Sequence, residues 1–279
     1  MLKNVVKSGL ASEIRRTVQG ALADTKAFGD ERLLDEVAGA VERLARERKF
    51  SEAQRHRLLY AISRKLLPNF SINDGGRYFL MDQAFRAYFE RFLGTTGNWL
   101  NYERRWTVGQ MLSLLTRVPG NLAECGVYEG ATSYQLCRFA EANGRRVHLF
   151  DSFEGLSSPN ENDGTHWKRG ALSVSEDIVR KNLSEFHCFE TFPGWIPSAF
   201  DRVADQTYCF VHIDVDLEQP TYDSIAFFYP RLAPGGIMIL DDHGYETCPG
   251  ARKAALEFMA DKPEPVVDLA TGQGMILKT

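Results

Sequence analysis

The 279 residues contain no CxxC pair, no GxGxxG loop, no internal repeat and no low-complexity tract, and each absence excludes a class of function. The five cysteines, at 125, 137, 188, 209 and 248, are scattered, which argues against a paired-thiol redox motif or a zinc site. Cys125, Cys188 and Cys209 fall in apolar, strand-like runs, so buried thiols in a reducing compartment are expected rather than disulfides. No apolar run approaches the roughly 20 residues of a membrane span. The N-terminus shows no apolar h-region with a small-residue cleavage site, so a cytoplasmic location is expected. Charge is nearly balanced: 33 basic and 37 acidic residues leave a net of -4, too little to draw nucleic acid or an acidic membrane. With 44% hydrophobic and 25% charged residues, the composition is that of an ordinary folded protein.

What is present is organised around residues 122–151. The run LAECGV reads as a short buried strand, 122–127, ending in a glycine-bearing turn. A helix follows from about Ala131, with Asn143-Gly144 as its stop. Residues 146–150 form a second apolar strand with Asp151 at its end. Strand, glycine turn, helix, strand and acid make a nucleotide-binding βαβ half. Gly126 and Gly130 let the backbone pass close to a ligand where a Cβ would collide. Asp151 is placed to accept hydrogen bonds from two ribose hydroxyls. The turn lacks a tight diphosphate loop and carries Glu124, which would repel a pyrophosphate and suits a cationic ligand such as S-adenosylmethionine.

Residues 1–98 read as a helical region. Leu2, Val5, Val6, Leu10, Ile14 and Val18 recur at helical spacing, as do Leu33, Leu34, Val37, Val41 and Leu44. Ser51-x-x-Gln54 is a capping box for a helix that ends before Pro68. Phe85, Tyr88, Phe89 and Phe92 make an aromatic face on a further helix, stopped by Gly94. The amphipathic first helix and this stripe offer more apolar surface than a small helical layer needs, so a homodimer or higher homo-oligomer is expected.

From residue 99 to the end, helices and strands alternate. A helix over 103–117 precedes the βαβ half. An irregular segment, 152–172, follows it, and loops of that length inside domains are usually functional. Ser173-x-x-Glu176 caps a helix running to about 186. Strands are expected over 188–192, 207–213 and 237–240, with helices over 220–229 and 251–259. The last two strands, 265–269 and 275–277, flank the hairpin turn TGQG. Right-handed crossovers make the sheet mostly parallel, with a terminal antiparallel strand.

Asp214 ends the 207–213 strand, and Asp241 and Asp242 end the 237–240 strand. One helical crossover separates these strands, so they are expected as neighbours about 4.8 Å apart. Their carboxylates would meet at the crevice where doubly wound sheets bind ligands. Such crowding calls for a hard divalent cation with oxygen ligands, Mg²⁺ in the first place. Asp216 lies two residues beyond Asp214 and either joins the site or faces an acceptor. His243 is a ligand, a polar neighbour of the ligands or a substrate contact. Trp195 either lines the adenine pocket or closes a Pro-Gly-Trp turn.

Several segments in one order resemble the macrocin O-methyltransferase family: ERRWTVGQML, VPGNLAECGVYEGA, DSFEGL, SVSEDIVRKNL, PGWIP, HIDVDLEQPTYDS and YPRLAPGGIMILDDHG. The resemblance covers about residues 99–279. It implies an α/β class I methyltransferase (Rossmann-like) domain with a seven-stranded sheet in the order 3-2-1-4-5-7-6. It implies an S-adenosylmethionine- and Mg²⁺-dependent O-methyltransferase acting on a hydroxyl of a sugar or glycosylated small molecule. Matched by motif, Asp214, Asp241 and Asp242 are the metal ligands. His166, nine residues before Ser175, matches a proposed general base, and Asp216 an acid proposed for the same role. Glu124, Gly126, Tyr128, Asp151 and Ser152 fall in cofactor-binding segments, with Gly130 in the same turn. Departures border the acceptor pocket. Tyr128 and Glu129 replace a Trp and a basic residue, DVDLEQPTYDS replaces DGDLYES, and His243 replaces an aromatic. A catechol-type phenolic O-methyltransferase and a non-catalytic scaffold are the alternatives.

Overall fold

The computed structural model describes residues 31–66, 78–92 and 101–279. The amphipathic stretch 2–18, Pro68 and the Gly94 helix stop lie outside them. The chain divides into two compact units, Met1–Tyr78 and Phe79–Thr279. In the first, α1 (Glu31–Glu47) and α2 (Glu52–Leu66) are the described helices. The capping box forms: the Ser51 amide donates to Gln54 Oε1 at 2.8 Å, and the Gln54 amide to Ser51 Oγ at 3.4 Å.

The second unit begins before α3 (Gln83–Phe92), which sequence alone groups with the N-terminal helices. Packing decides the matter. Phe85, Tyr88, Phe89 and Phe92 are all buried, against Tyr102 and Trp106 of α4 (Tyr102–Ser113) and Tyr134 of α5 (Ala131–Ala142). Phe89 stacks on Tyr102 with ring centroids 3.9 Å apart, Phe85 meets Trp106 edge-on at 5.0 Å, and Tyr88 Oη donates to the Ala131 carbonyl at 2.7 Å. The aromatic stripe is therefore covered within its own chain and offers no free face to a second copy.

The strands are β1 (Asn121–Cys125), β2 (Val147–Asp151), β3 (Phe189–Pro193), β4 (Tyr208–Ile213), β5 (Leu232–Leu240), β6 (Val267–Asp268) and β7 (Gly274–Leu277). They form one sheet in the order β3-β2-β1-β4-β5-β7-β6, the order expected from sequence. Only β7 runs antiparallel to its neighbours. Helices α6 (Glu176–Asn182), α7 (Glu218–Phe228) and α8 (Pro249–Met259) complete the crossovers. Both faces of the sheet are covered. Ala123, Cys125, Val211, Ile213 and Met238 pack into one cluster, while Leu122, Leu149, Phe210 and Ile239 pack into another. Two buried faces explain why the strands read as continuous apolar runs.

Two helix ends differ from the sequence expectation. α4 stops at Ser113 rather than Arg117: the Leu114 and Leu115 amides tighten to the Met111 and Leu112 carbonyls, and the Arg145 guanidinium takes the Leu115 and Thr116 carbonyls at 3.0 Å each. α6 opens after Ser175, not through a Ser173–Glu176 capping pair, and ends at Asn182. The Glu176 carboxylate instead accepts from Arg180 at 2.8 Å and Thr191 at 2.5 Å.

Candidate active site

The C-terminal ends of β1, β2, β4 and β5 surround a cavity of about 450 Å³. Glu124, Gly126, Tyr128, Asp151, Ser152, Trp195, Asp214, Asp216, Asp241 and Asp242 all line it. Gly130 and His166 do not. Gly130 has φ +86° and serves as the N-cap of α5. His166 is exposed on the 152–172 loop, and it is the next residue, Trp167, that lines the cavity.

The glycine turn has a reason beyond ligand access. Gly126 sits at φ +80°, and a Cβ there would fall 1.7 Å from the Asp214 carbonyl oxygen. The close approach of β1 to the end of β4 demands glycine. The turn is then held by Asp151. Its Oδ2 accepts from the amides of Val127 at 2.8 Å and Tyr128 at 3.2 Å, and its Oδ1 from Phe153 at 2.7 Å. Burial raises the Asp151 carboxyl above its ordinary value, against the pull of these three amides.

Glu124 is 1% exposed and pairs in register with His212 on β4. Its Oε2 accepts from Ser133 Oγ, and its Oε1 lies 3.2 Å from His212 Nδ1 without hydrogen-bond geometry. Burial drives the Glu124 carboxyl up to about 8, and holds the His212 imidazole down at about 3. His212 is therefore neutral. Its Nε2 lies 3.2 Å from Asp241 Oδ1, which also accepts from Gln273 Nε2 at 2.6 Å.

The backbone brings the strand-end acids together. The Asp214 amide donates to the Cys125 carbonyl and the Asp241 amide to the Ile213 carbonyl, at 2.8 Å each. The carboxylates fall into two close donor sets: Asp214 and Asp241 with His212, and Asp242 and Asp216 with Cys248. Asp216 adopts φ +59°, its amide donates to Asp242 Oδ2 at 2.9 Å, and Cys248 Sγ lies 3.6 Å from its Oδ1. Burial and the Asp214 charge raise Asp242 to about 7, and burial with the Asp242 charge raises Asp216 well above the usual carboxylate range. Seven carboxyl residues thus line one cleft, Glu124, Glu129, Asp151, Asp214, Asp216, Asp241 and Asp242. Such an excess of acid favours cationic ligands.

The cationic side chains lining the cleft are Arg104 and Arg105, on the first turn of α4. Arg104 pairs with Asp241 and lies 3.8 Å from Asp242 Oδ1, with its guanidinium 4.6 Å from the Tyr245 ring centroid. Arg105 bonds Thr132 and lies 3.8 Å from Asp214 Oδ2. Sequence reasoning passed over both arginines, although they lie in the ERRW segment. The signal was two adjacent arginines opening a helix just ahead of the first strand.

The 152–172 loop is irregular as expected, but tied at both ends. The Leu156 amide donates to the Ala171 carbonyl and the Gly170 amide to the Leu156 carbonyl, at 2.8 Å each. The buried Asp163 accepts from the Glu218 amide at 2.7 Å and the Asn160 amide at 2.8 Å. The Glu218 carboxylate accepts from Asn160 and Asn162 Nδ2 at 2.8 Å each and from Lys253 at 2.5 Å. A Cβ on Gly250 of α8 would lie 2.1 Å from Asp163 Oδ1. Trp167 Nε1 donates to Cys248 Sγ at 3.3 Å, which fixes the indole on the cavity wall.

The family model described as Macrocin-O-methyltransferase (TylF) matches residues 111–268. Demethyldecarbamoylnovobiocin O-methyltransferase of Streptomyces niveus is 30% identical over 158 residues, 51% of this chain and 59% of that protein. The 8-demethyl-8-(2,3-dimethoxy-alpha-L-rhamnosyl)-tetracenomycin-C 4'-O-methyltransferase of Streptomyces olivaceus is 30% identical over 145 residues, 47% of this chain and 56% of that protein. The chain thus spans less than two thirds of either relative's length. Among solved structures, the O-methyltransferase NovP superimposes with a TM-score of 0.56 at 25% identity, covering 64% of this chain and 81% of that one.

Proposed function

The chain belongs to the macrocin O-methyltransferase family, and on that premise we propose that it is a Mg²⁺-dependent O-methyltransferase carrying a methyl group from S-adenosylmethionine to a hydroxyl of a sugar or glycosylated small molecule. The observation that carries this reading is a shared cavity. The glycine turn held by Asp151 and the acids ending β4 and β5 line the same walls. The relatives support the acceptor class, since one is named for a rhamnosyl-bearing compound.

The donor set suits a hard divalent cation. Asp214, Asp241 and Asp242 offer oxygens, and the buried Asp241 Oδ2 has the Arg104 guanidinium, another cation, against it. Asp214 and Asp241, which share one donor set, would hold the metal, with Asp242 reaching it from the neighbouring set. Glu124, Gly126, Tyr128, Asp151, Ser152 and Trp195 would surround the cofactor, with Gly130 setting the helix behind it. S-adenosylmethionine supplies the electrophilic methyl, and Mg²⁺ supplies the Lewis acidity that lowers the pKa of the acceptor hydroxyl.

The chain's own residues do the rest. A carboxylate has about four lone-pair sites, and Asp151 already uses three of them on backbone amides. That leaves room for one ribose hydroxyl rather than two. Asp216 takes the acceptor's proton on its carboxylate, since it is inside the cavity while His166 is outside. Trp167 and Leu172 wall off water and align the acceptor for in-line transfer. Five buried free thiols support a reducing, cytoplasmic setting. Among the described residues no helix is long and apolar enough to cross a membrane.

The test is turnover of glycosylated and catechol acceptors with S-adenosylmethionine, in EDTA and after Mg²⁺ addition. Methylation of a sugar hydroxyl that EDTA stops and Mg²⁺ restores is expected. Exclusive use of catechols, or full rate in EDTA, would overturn the proposal.

A further inference from the structure

Arg104 occupies a singular position. It is the third residue of α4, and its amide is fixed by the Asn101 cap, which accepts at 3.0 Å. From there the side chain crosses to the end of β5. One nitrogen, Nη2, touches Asp241 Oδ2, lies 3.8 Å from Asp242 Oδ1 and donates to the Asp241 carbonyl at 3.2 Å. The guanidinium lies over the Tyr245 ring, and the side chain is 12% exposed. A single cationic nitrogen therefore faces both members of the Asp241–Asp242 pair.

A divalent ion ligated by the same pair needs the same oxygens. Two cations cannot share them without strong repulsion, because like charges a few ångströms apart are poorly screened in a site of low dielectric. Arg104 also carries a weakness: its Nε is buried with no acceptor, a penalty that leaving the site relieves. Tyr245 provides a ring surface along which the guanidinium stays bound while shifting. A cation that is tethered, incompletely satisfied and stacked on a mobile-compatible aromatic face is suited to displacement.

We propose that Arg104 is a built-in counter-cation of the metal acids, one that neutralises Asp241 and Asp242 and is displaced when the divalent ion binds, so that this residue sets the metal affinity of the site. The inference rests on the metal-dependent reading above. Arg104 acts here as a positioning residue, and it forms no bond with the acceptor.

Titration of Mn²⁺ by calorimetry or electron paramagnetic resonance, without cofactor or acceptor, tests it. Arg104→Leu should bind Mn²⁺ about tenfold tighter or more than the parent, and Arg104→Lys should lie between them. In EDTA the Leu variant should melt below the parent, and saturating Mn²⁺ should close that gap, because the ion restores the missing charge. Tyr245→Leu, which loosens the docked guanidinium, should tighten Mn²⁺ in the parent and leave Arg104→Leu unchanged. If Arg104→Leu does not fold, Arg104→Lys and Tyr245→Leu carry the comparison. Equal or weaker binding by the Arg104 variants, with the parent binding normally, would overturn this proposal alone. Absence of binding in every protein would overturn it together with the metal-dependent reading.

Discussion

Asp151 Oδ2 lies 2.8 Å from the amide nitrogen of Val127, so the acid that ends β2 is the hydrogen-bond acceptor that shapes the turn after β1. The proposed cofactor site and the fold are joined at this carboxylate. Asp151→Ala would leave the Val127 and Tyr128 amides of the turn, and the Phe153 amide beyond β2, without their acceptor. It should destabilise the protein by about 3 kcal/mol or more, at roughly 1–3 kcal/mol for each buried group left unsatisfied. Scanning calorimetry gives the stability and titration with S-adenosylhomocysteine gives the affinity, and both should fall. Lost affinity with unchanged melting would mean the turn has other support.

The choice between Asp216 and His166 is a kinetic question. Asp216→Asn should lower kcat by about a hundredfold or more, while His166→Ala should stay within a few-fold of the parent. Cofactor affinity should be nearly unchanged in both. Single-turnover rates on an authentic acceptor decide it. The reverse ranking would place the base on the loop and require it to close inward.

Gly126→Ala should be among the most damaging single substitutions. The new methyl would collide with the Asp214 carbonyl, and the backbone there has φ +80°. Relief requires moving β1 away from the end of β4, at a cost of about 3 kcal/mol or more. Because Asp214 moves with that carbonyl, Mn²⁺ affinity should fall in parallel with the melting temperature. Chemical denaturation and metal titration on the same preparation check the pair.

Glu124 gives stability an uncommon pH dependence. Its carboxyl is raised from 4.5 to about 8, chiefly by burial. Folding therefore favours the protonated acid. The stability tied to this group is complete below pH 4.5 and is lost as pH climbs toward about 8. Glu124→Gln keeps the neutral form at every pH. With ligands absent, it should melt near the parent at pH 5 and about 5 °C or more above it at pH 9. Parallel melting curves across that range would show that Glu124 stays ionised in the fold.

Much of this was legible in the chain. The order of elements, the sheet order and the acids at the ends of β1, β2, β4 and β5 follow from apolar runs and their terminal residues. Gly126 was legible as a glycine that matters, but not for the Asp214 carbonyl, since a contact between strands some 90 residues apart leaves no local pattern. Arg104 and Arg105 were missed for a related reason. A helix-opening arginine reads as solvated until the sheet beneath it is known to end in acids. The aromatic face of α3 was read correctly as apolar, while its partners, Tyr102, Trp106 and Tyr134, lie in elements that the local pattern cannot assign to it. The spacing of His166 to Ser175 marks it as a candidate base, and such spacing does not report which side of a loop faces inward.

The Asp163 contact with Glu218 and Gly250 makes the structure behind one side of the cleft a three-part lock. The 152–172 loop, the first turn of α7 and the first turn of α8 are distant in sequence, yet each is cut to fit the other two. Retargeting the enzyme by grafting a foreign loop alone would bring a segment whose anchor does not match. A bulkier residue at 250 would expel Asp163, and losing Glu218 would release Asn160, Asn162 and Lys253 together. Under the proposed function, new acceptor preferences would be reached by exchanging the three pieces as one cassette, and a library built on the loop alone should yield mostly misassembled proteins.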